Sequence, residues 1–370
     1  MTIVLKAITY ALAAIGIFGT ALPLLNYDDY WIRGWDYPRT QLAVILAAAI
    51  ALFAAEAVFY DWSLAAKIVL GATVAALIFQ VYRILPYTPL WSKQVPAASA
   101  SERSDEGSQL HLLVSNVLQS NDEYDRLLGL VAEEQPDILL TLESNADWER
   151  ELDAALAGDY EHTVKVPLEN RYGMHLYSRL ELRDSRVKYL ISDSIPSIHT
   201  EAKLDDGEWV RLYCVHPTPP SPTEESASTG RDAELAVVGE IIREGGNANT
   251  IVAGDLNDVA WSHSTRLFKR LSGLFDPRQG RGMFNTFHAD HWFMRWPLDH
   301  VFHSAEFQVT DMRVLRHVGS DHFPVSVKLQ HVPEEAGEVE EPTPEHDDLE
   351  EADKTIDTAR AGKTQTLLVD

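Results

Sequence analysis

The chain has 370 residues, a formal net charge of −25 and a single cysteine. That length accommodates one large domain with an appended segment, and one thiol excludes an internal disulfide. The acidic balance, without any cluster of Lys and Arg interleaved with aromatics, argues against non-specific binding to a nucleic-acid backbone, which rests on basic contacts.

Residues 1–92 are rich in Ala, Leu, Ile and Val. Three apolar stretches, about residues 3–25, 41–59 and 64–85, each approach the ~20 residues that cross a bilayer as a helix. Lys67 and Arg83, near the ends of the third, can snorkel toward head groups. Glu56, near the end of the second, is expected to stay protonated or reach the interface. Tyr27, Tyr30, Trp31, Trp35 and Tyr37 crowd the first link, a composition that an interfacial loop explains without any site. Three spans favour a multi-pass anchor in the cell (inner) membrane over a cleavable leader beginning near Lys6. Lys6 and Lys67 face one side, and Arg33, Arg39, Arg83 and Lys93 the other. By the positive-inside rule that count points the rest of the chain into the cytoplasm.

Residues 93–108 read as a polar, flexible linker and residues 109–331 as the globular, catalytic part. Strands are expected at Leu110–Val114, Ile138–Leu142, Gly173–Ser178, Trp209–Val215, Thr250–Ala253, Leu298–Phe302 and Val325–Leu329, with helices at Tyr124–Glu134 and Arg231–Glu244. Cys214 falls within an apolar run as a small buried thiol. Strands outnumber helices, which favours two packed sheets with helices outside, an α/β sandwich. Residues 332–370 form an acidic tail, with thirteen acids against three bases from 333 onward and no aromatics; it is expected to be disordered.

The chemistry sits at strand ends. Asp255 and Asn257 follow Ile251–Gly254, where glycine permits a sharp turn and alternate residues point the same way. An acid and an amide so placed suit a hard cation and a phosphoryl oxygen; a simple Asx turn is the alternative. Glu143 ends the Ile138–Leu142 run, either as a solvated carboxylate or as a hard ligand of the kind Mg²⁺ takes. Asp321 and His322 are adjacent in Ser320–Pro324, and Asp299 is placed to fix the His322 tautomer. Ser115-Asn116-Val117 and Val215-His216-Pro217 add an amide and an imidazole. His288, Asp290 and His291 lack a clear fourth zinc ligand, so a polar loop over the pocket is the simpler reading. Arg171, Arg278, Arg281 and Arg295 are either phosphate-gripping groups or surface charges, and residues 217–222 a stiff, proline-rich wall.

Taken in order, Ser-Asn-Val at 115–117, Leu-Glu-Ser at 142–144, Tyr-Ser-Arg at 177–179, Gly-Asp-Leu-Asn at 254–257 and Ser-Asp-His-Phe-Pro at 320–324 resemble the endonuclease/exonuclease/phosphatase superfamily. This is the metal-dependent fold of DNase I-like nucleases, inositol-phosphate phosphatases and sphingomyelinases, and the resemblance spans roughly residues 109–331. It implies a DNase I-like two-sheet sandwich and a Mg²⁺ or Mn²⁺ cofactor. It also implies that Glu143 is the principal metal ligand, that Asn116 binds metal or positions its ligands, and that Asp321 supports a second metal position. His216 and Asn257 would contact the scissile phosphate, and Asp255 would orient or deprotonate the attacking water. His322, backed by Asp299, would stabilise developing charge or act as acid/base. Three amino-terminal spans are similar to those of bacterial members linked to lipid-carrier phosphates and glycopeptide resistance, which implies an extracytoplasmic catalytic region, against the charge count.

The leading expectation is therefore a membrane-anchored, divalent-metal-dependent hydrolase of a phosphorylated lipid or small phosphoester, with the bilayer as partner. A nuclease using the same residues is the first alternative. A non-catalytic membrane scaffold retaining the fold is the second.

Overall fold

A computed structural model describes residues 2–25, 27–58, 62–98, 106–222 and 224–366. Helices α1 (Thr2–Ala21), α3 (Arg39–Ala57) and α4 (Leu64–Ile84) pack as an antiparallel bundle, and the short α2 (Tyr30–Arg33) lies in the first link. Among the described residues three segments are long and apolar enough to cross a membrane: Ile3–Leu24, Arg39–Ala57 and Leu64–Tyr87. Phe59, the expected end of the second span, lies outside the described residues. Ser63 starts α4 by accepting the Ala66 N–H at 3.2 Å, satisfying one orphan donor of the first turn.

Polar side chains inside the bundle are paired, Arg39 Nε excepted, as a hydrocarbon surrounding favours. Glu56 is buried against α1 and accepts from the Thr9 hydroxyl at 2.9 Å. Arg39, counted above as a flanking charge, is buried as well, donating to Gln80 at 3.1 Å and pairing with Asp36.

Among the described residues eleven strands form the sandwich. They are β1 (Gln109–Asn116), β2 (Ile138–Leu142), β3 (His162–Val166), β4 (Met174–Ser178), β5 (Leu182–Lys188), β6 (Ser197–Lys203), β7 (Trp209–Cys214), β8 (Thr250–Asp255), β9 (Asp299–His303), β10 (Phe307–Val314) and β11 (Val325–His331). One sheet runs β10-β11-β1-β2-β4-β3 and the other β5-β6-β7-β8-β9. Both faces of β2 and β8 are covered, which is why they read as nearly continuous apolar runs rather than alternating ones. Leu112 and Val114 of β1, Leu140 of β2, Leu212 and Cys214 of β7 and Ile251 of β8 meet between the sheets. On the outer face of the first sheet, Leu113 and Leu139 pack under α5 (Tyr124–Glu134) and α6 (Ala146–Leu156). On that of the second, Val215 and Val252 pack under α7 (Thr229–Gly245) and α8 (His263–Ser272).

The pairing directions gather the chemistry at one edge. β1 runs parallel to β2 and β7 parallel to β8, so Asn116, Glu143, His216 and Asp255 all leave carboxyl ends of strands. β9 and β11 run antiparallel to β8 and β1, with Asp299 opposite Asp255 and Val325 opposite Val114. Asp299 and the residues just before Val325 therefore start from that same edge.

Two expectations are corrected. The first half of the linker is docked rather than flexible. Val95 is buried with Phe275 and Ala305, and Arg281 donates to the Val95 and Pro96 carbonyls at 2.8 and 3.0 Å. Residues 99–105 of the linker lie outside the described residues. The acidic tail carries a 3-10 turn (Pro333–Glu338) and helix α9 (His346–Thr366). Ala352 and Ile356, flanked by Leu349 and Ala359, pack on Ala236, Leu267 and Leu271 of α7 and α8. This stripe recurs at helical spacing, hidden in the sequence by the acids around it, and Arg270 clamps Asp348 with two hydrogen bonds of 2.7 and 2.6 Å. Residues 367–370 lie outside the described part.

Candidate active site

Oδ2 of Asp255 is the centre of the site. The Asn116 amide donates to it at 3.1 Å and to Glu143 Oε1 at 2.9 Å, joining the two carboxylates through one side chain. His322 Nε2 stands 3.6 Å from Asp255 Oδ2 and His216 Nε2 3.9 Å from it. Behind His322, Nδ1 lies 2.8 Å from Asp299 Oδ2. Asn116, His216, Asp255, Asp299 and His322 are all buried.

The backbone is bent to present these groups. Gly254 has φ +149°, and a Cβ there would fall 1.9 Å from the Val215 carbonyl oxygen, so only glycine lets β8 approach the segment carrying His216. Gly173 has the same role beside Glu143, where an added Cβ would lie 1.9 Å from the Ser144 carbonyl oxygen. Glu143 (φ 59°) and Asn257 (φ 50°) occupy the left-handed region. Non-glycine residues are uncommon there, and such strain clusters where side-chain aim matters. Asp255 Oδ1 closes the turn by accepting the Asn257 N–H at 2.9 Å, and Asn257 Nδ2 donates to the Pro217 carbonyl at 3.0 Å.

Charge follows from this geometry. Burial pushes His322 down, but Asp299 and Asp255 outweigh it and hold the imidazole up at about 10, so it is a cation at neutral pH. Burial lowers His216 to about 4 despite Asp255; it is neutral. Burial raises Glu143 to about 7 against the Asn116 hydrogen bond and the His322 charge. Burial also raises Asp255, against the pull of His322. Two acids reluctant to ionise beside a fixed imidazolium are perturbed groups of the kind that cluster at functional sites.

The donor set fits a hard divalent cation. Glu143 Oε2 and Asp299 Oδ1 are closed off from solvent without a hydrogen-bond partner, a costly arrangement that an oxygen-seeking ion relieves. Asp255, Asp299 and His322 offer ligand atoms within 4.8 Å of one another. The 2.8 Å hydrogen bond already commits His322 Nδ1 to Asp299 Oδ2, so this pair is an orienting couple; both Asp255 oxygens accept hydrogen bonds, and the unpartnered oxygens are Glu143 Oε2 and Asp299 Oδ1. Asp321 is half-buried and outside that compact group; its backbone carbonyl accepts from Ala289 at 2.7 Å, and its charge helps to raise His322.

The remaining candidates separate. His288 and His291 lie against each other, with ring centroids 4.5 Å apart, and with Asp290 they form no three-ligand group among the described residues. Arg278 is neither a surface charge nor a phosphate grip: it is fully buried and bound to Asp276 through Nε at 2.8 Å. Arg281 holds the docked linker. Arg295 stacks over the Phe323 ring at 4.9 Å. Arg171 is exposed, 3.6 Å from Glu224.

Two positioning residues had no sequence signal. The Asn257 carbonyl accepts from Tyr37 Oη at 2.6 Å and from Arg231 Nη1 at 2.9 Å. Arg231 is buried and also paired with Asp232 and Asp258 at 2.8 and 3.2 Å. Tyr37 belongs to the aromatic link read above as interfacial and without a site. Two further ties bind that end of the bundle to the sandwich: Trp261 Nε1 donates to the Asp36 carbonyl at 2.7 Å, and Tyr87 Oη to the Ala260 carbonyl at 2.5 Å.

A sequence model described as the Endonuclease/Exonuclease/phosphatase family matches residues 113–322. Among solved structures, D. rerio TDP2 complexed with a single-strand DNA product is similar with a TM-score of 0.51 at 18% identity, over 60% of this chain and 99% of that one. An endonuclease/exonuclease/phosphatase from Beutenbergia cavernae is similar with a TM-score of 0.50 at 17% identity, over 61% and 72%. The human Nocturnin catalytic domain with bound sulfate gives 0.50 at 16% identity, over 61% and 95%. At these identities the likeness shows the shared fold. A search of curated protein sequences gives no match.

Proposed function

This chain belongs to the endonuclease/exonuclease/phosphatase family, and from that premise we propose that it is a membrane-held, divalent-metal-dependent phosphoester hydrolase acting on a phosphorylated lipid. The observation that carries the lipid part is the tie between Tyr37, in the link joining the first two apolar helices, and the backbone of Asn257 in the site. A hydrolase for soluble esters gains nothing from fixing its catalytic edge to a membrane bundle, whereas an enzyme whose substrate stays in the bilayer needs its site at that surface.

Glu143 is the principal holder of Mg²⁺ or Mn²⁺, with Asn116 fixing its carboxylate relative to Asp255. The ion supplies charge neutralisation at the phosphate oxygens. Asp255 orients water and takes its proton as the water oxygen bonds to phosphorus. His322 donates its Nε2 proton to the ester oxygen as the phosphorus–oxygen bond breaks, while Asp299 holds the imidazole and offsets its charge. Neutral His216 and the Asn257 amide bind the non-bridging oxygens. The Asp321 carboxylate strengthens the basicity of His322 from outside this group. In this reading the protein is a multi-pass component of the cell membrane with the sandwich on the extracytoplasmic side; three helices long and apolar enough to cross a bilayer support the anchoring.

The test is hydrolysis by the purified full chain in detergent of a long-chain lipid phosphoester, a soluble aryl phosphodiester and single-stranded DNA, each with Mg²⁺ and then EDTA. Metal-dependent cleavage of the lipid ester in preference to DNA supports the reading. Cleavage of DNA alone replaces it with a nuclease. A carboxyl-terminal reporter active only outside the cytoplasm tests the orientation.

A further inference from the structure

A cavity of about 550 Å³ opens between the membrane bundle and the catalytic edge, within the ~300–1,000 Å³ typical of ligand sites. One end is closed by His322 and Asn257. Its walls are Tyr37, Phe287, Met294 and Trp296, with Pro219 and Pro220 of the stiff loop, and no lining residue is Lys, Arg, Asp or Glu. Such walls offer nothing to a phosphate. Bases stack on aromatic walls, but a nucleic acid also needs cations along its backbone, and apart from His322 at the site end none line this space.

The other end of the cavity reaches the level at which the second span begins. Gln41, in the first turn of α3, lines the cavity and donates to the Phe293 carbonyl at 2.7 Å. This bond pins a loop whose tip is apolar and outward-facing, with Trp292 81% and Phe293 54% exposed. On the neighbouring link, Trp31 is 69% exposed. Large aromatics exposed beside the start of a span sit in the head-group layer of a bilayer.

We infer that this cavity is the seat of the hydrocarbon chain of the lipid substrate: the chain segment next to the phosphoester leaves the bilayer past Trp292–Met294 and lies along Tyr37, Phe287 and Trp296. The inference rests on the hydrolase reading and adds where the chain goes and which residues select it. Continuity decides the occupant. A soluble ligand would need no path to the head-group layer, and a protein partner would not be threaded to His322.

The test has one arm independent of turnover. A long-chain alkyl phosphate carrying a diazirine on its first few carbons is incorporated into vesicles with the full chain, irradiated, and its adducts are mapped by peptide mass spectrometry. Adducts on residues 287–296 and Tyr37 are expected. Gly34 provides the blocking variant: it lines the cavity, has helical backbone angles, and an added Cβ meets nothing within 4 Å. Gly34→Trp should abolish these adducts and lower the ratio of lipid-ester to soluble-ester turnover by about tenfold or more, as expected when two or more CH₂ groups are left out of the cavity. Adducts confined to the outer faces of the spans, or adducts and turnover ratio unchanged in Gly34→Trp, overturn the inference. If neither ester is cleaved, the hydrolase reading fails, and the adduct map still decides whether the cavity takes the chain.

Discussion

Replacing Glu143 by Gln should stabilise the metal-free protein and remove its response to metal. In the metal-free fold Glu143 is held at about 7 instead of the ordinary 4.5, chiefly by burial. Because the folded value is the raised one, the stability tied to the neutral carboxyl is present below 4.5 and is lost as the pH rises through 7. Allowing for its half-burial, the full loss is about 2–3 kcal/mol. Glutamine keeps the acceptor for Asn116 and carries no charge, so the variant avoids that loss. Thermal unfolding in detergent with EDTA should show the two proteins nearly equal at pH 5. At pH 8 the variant should lead by about 4–12 °C, at ~2–4 °C per kcal/mol for a chain of this size. His322 is also raised, but it is present in both proteins, and their difference isolates Glu143. With Mg²⁺ at pH 8 the order should reverse, because only the wild type binds the ion and gains from it. A gap that stays constant from pH 5 to 8, or equal gains from Mg²⁺ in both proteins, refutes the assignment of Glu143 as an unsatisfied metal ligand.

Other outcomes follow from the same contacts. Asp299→Asn should lower kcat by about 10²–10⁴ with little change in KM, since it removes the partner that fixes and charges His322; steady-state kinetics checks it. Tyr37→Phe removes one of two donors to the Asn257 carbonyl and should cost about 0.5–1.5 kcal/mol of transition-state stabilisation, read as a several-fold fall in kcat/KM with unchanged melting. Arg278→Met leaves Asp276 buried without its partner and should destabilise the fold by about 3–5 kcal/mol, measured by thermal unfolding. In the wild type, Arg278 outweighs burial and holds Asp276 at about 2, so the stability from this pair is present above the ordinary carboxylate value and is lost as pH falls toward 2. Truncation after residue 342 removes α9 and uncovers Leu271; it should lower the melting temperature while metal-dependent turnover persists.

The site was legible where chemistry coincides with local punctuation. Glu143 and Asp255 each close a strand that is mostly apolar because both faces of the sheet are covered, and His322 shortly precedes β11, where Val325, Val327 and Leu329 alternate with polar residues, so the strand end and the polar residue announce each other. The edges were not legible. β5 reads Leu-Arg-Asp-Ser-Arg-Val-Lys and is mostly exposed, leaving no alternation to detect; its place is set by pairing with β6. Arg278 follows Asp-Pro in a segment indistinguishable from a surface turn, and only the tertiary fold buries it. Tyr37 lies 220 residues from its acceptor, and its composition is fully accounted for by the membrane interface, so no local pattern reveals its second role. In α9 the four apolar residues that matter are outnumbered by acids, and a composition argument weighs the wrong face.

Glu143, Asp255 and His322 are proposed as one metal-dependent centre working on a lipid held at the bilayer. The most direct test of that proposal reconstitutes wild type and Asp255→Ala into vesicles containing a lipid phosphoester and follows release of the water-soluble product with Mg²⁺, then with excess EDTA. Release should occur with the wild type, stop with EDTA and be absent in the variant, whose folding is verified by its melting curve. Release that is indifferent to EDTA, or equal in both proteins, would contradict the proposal.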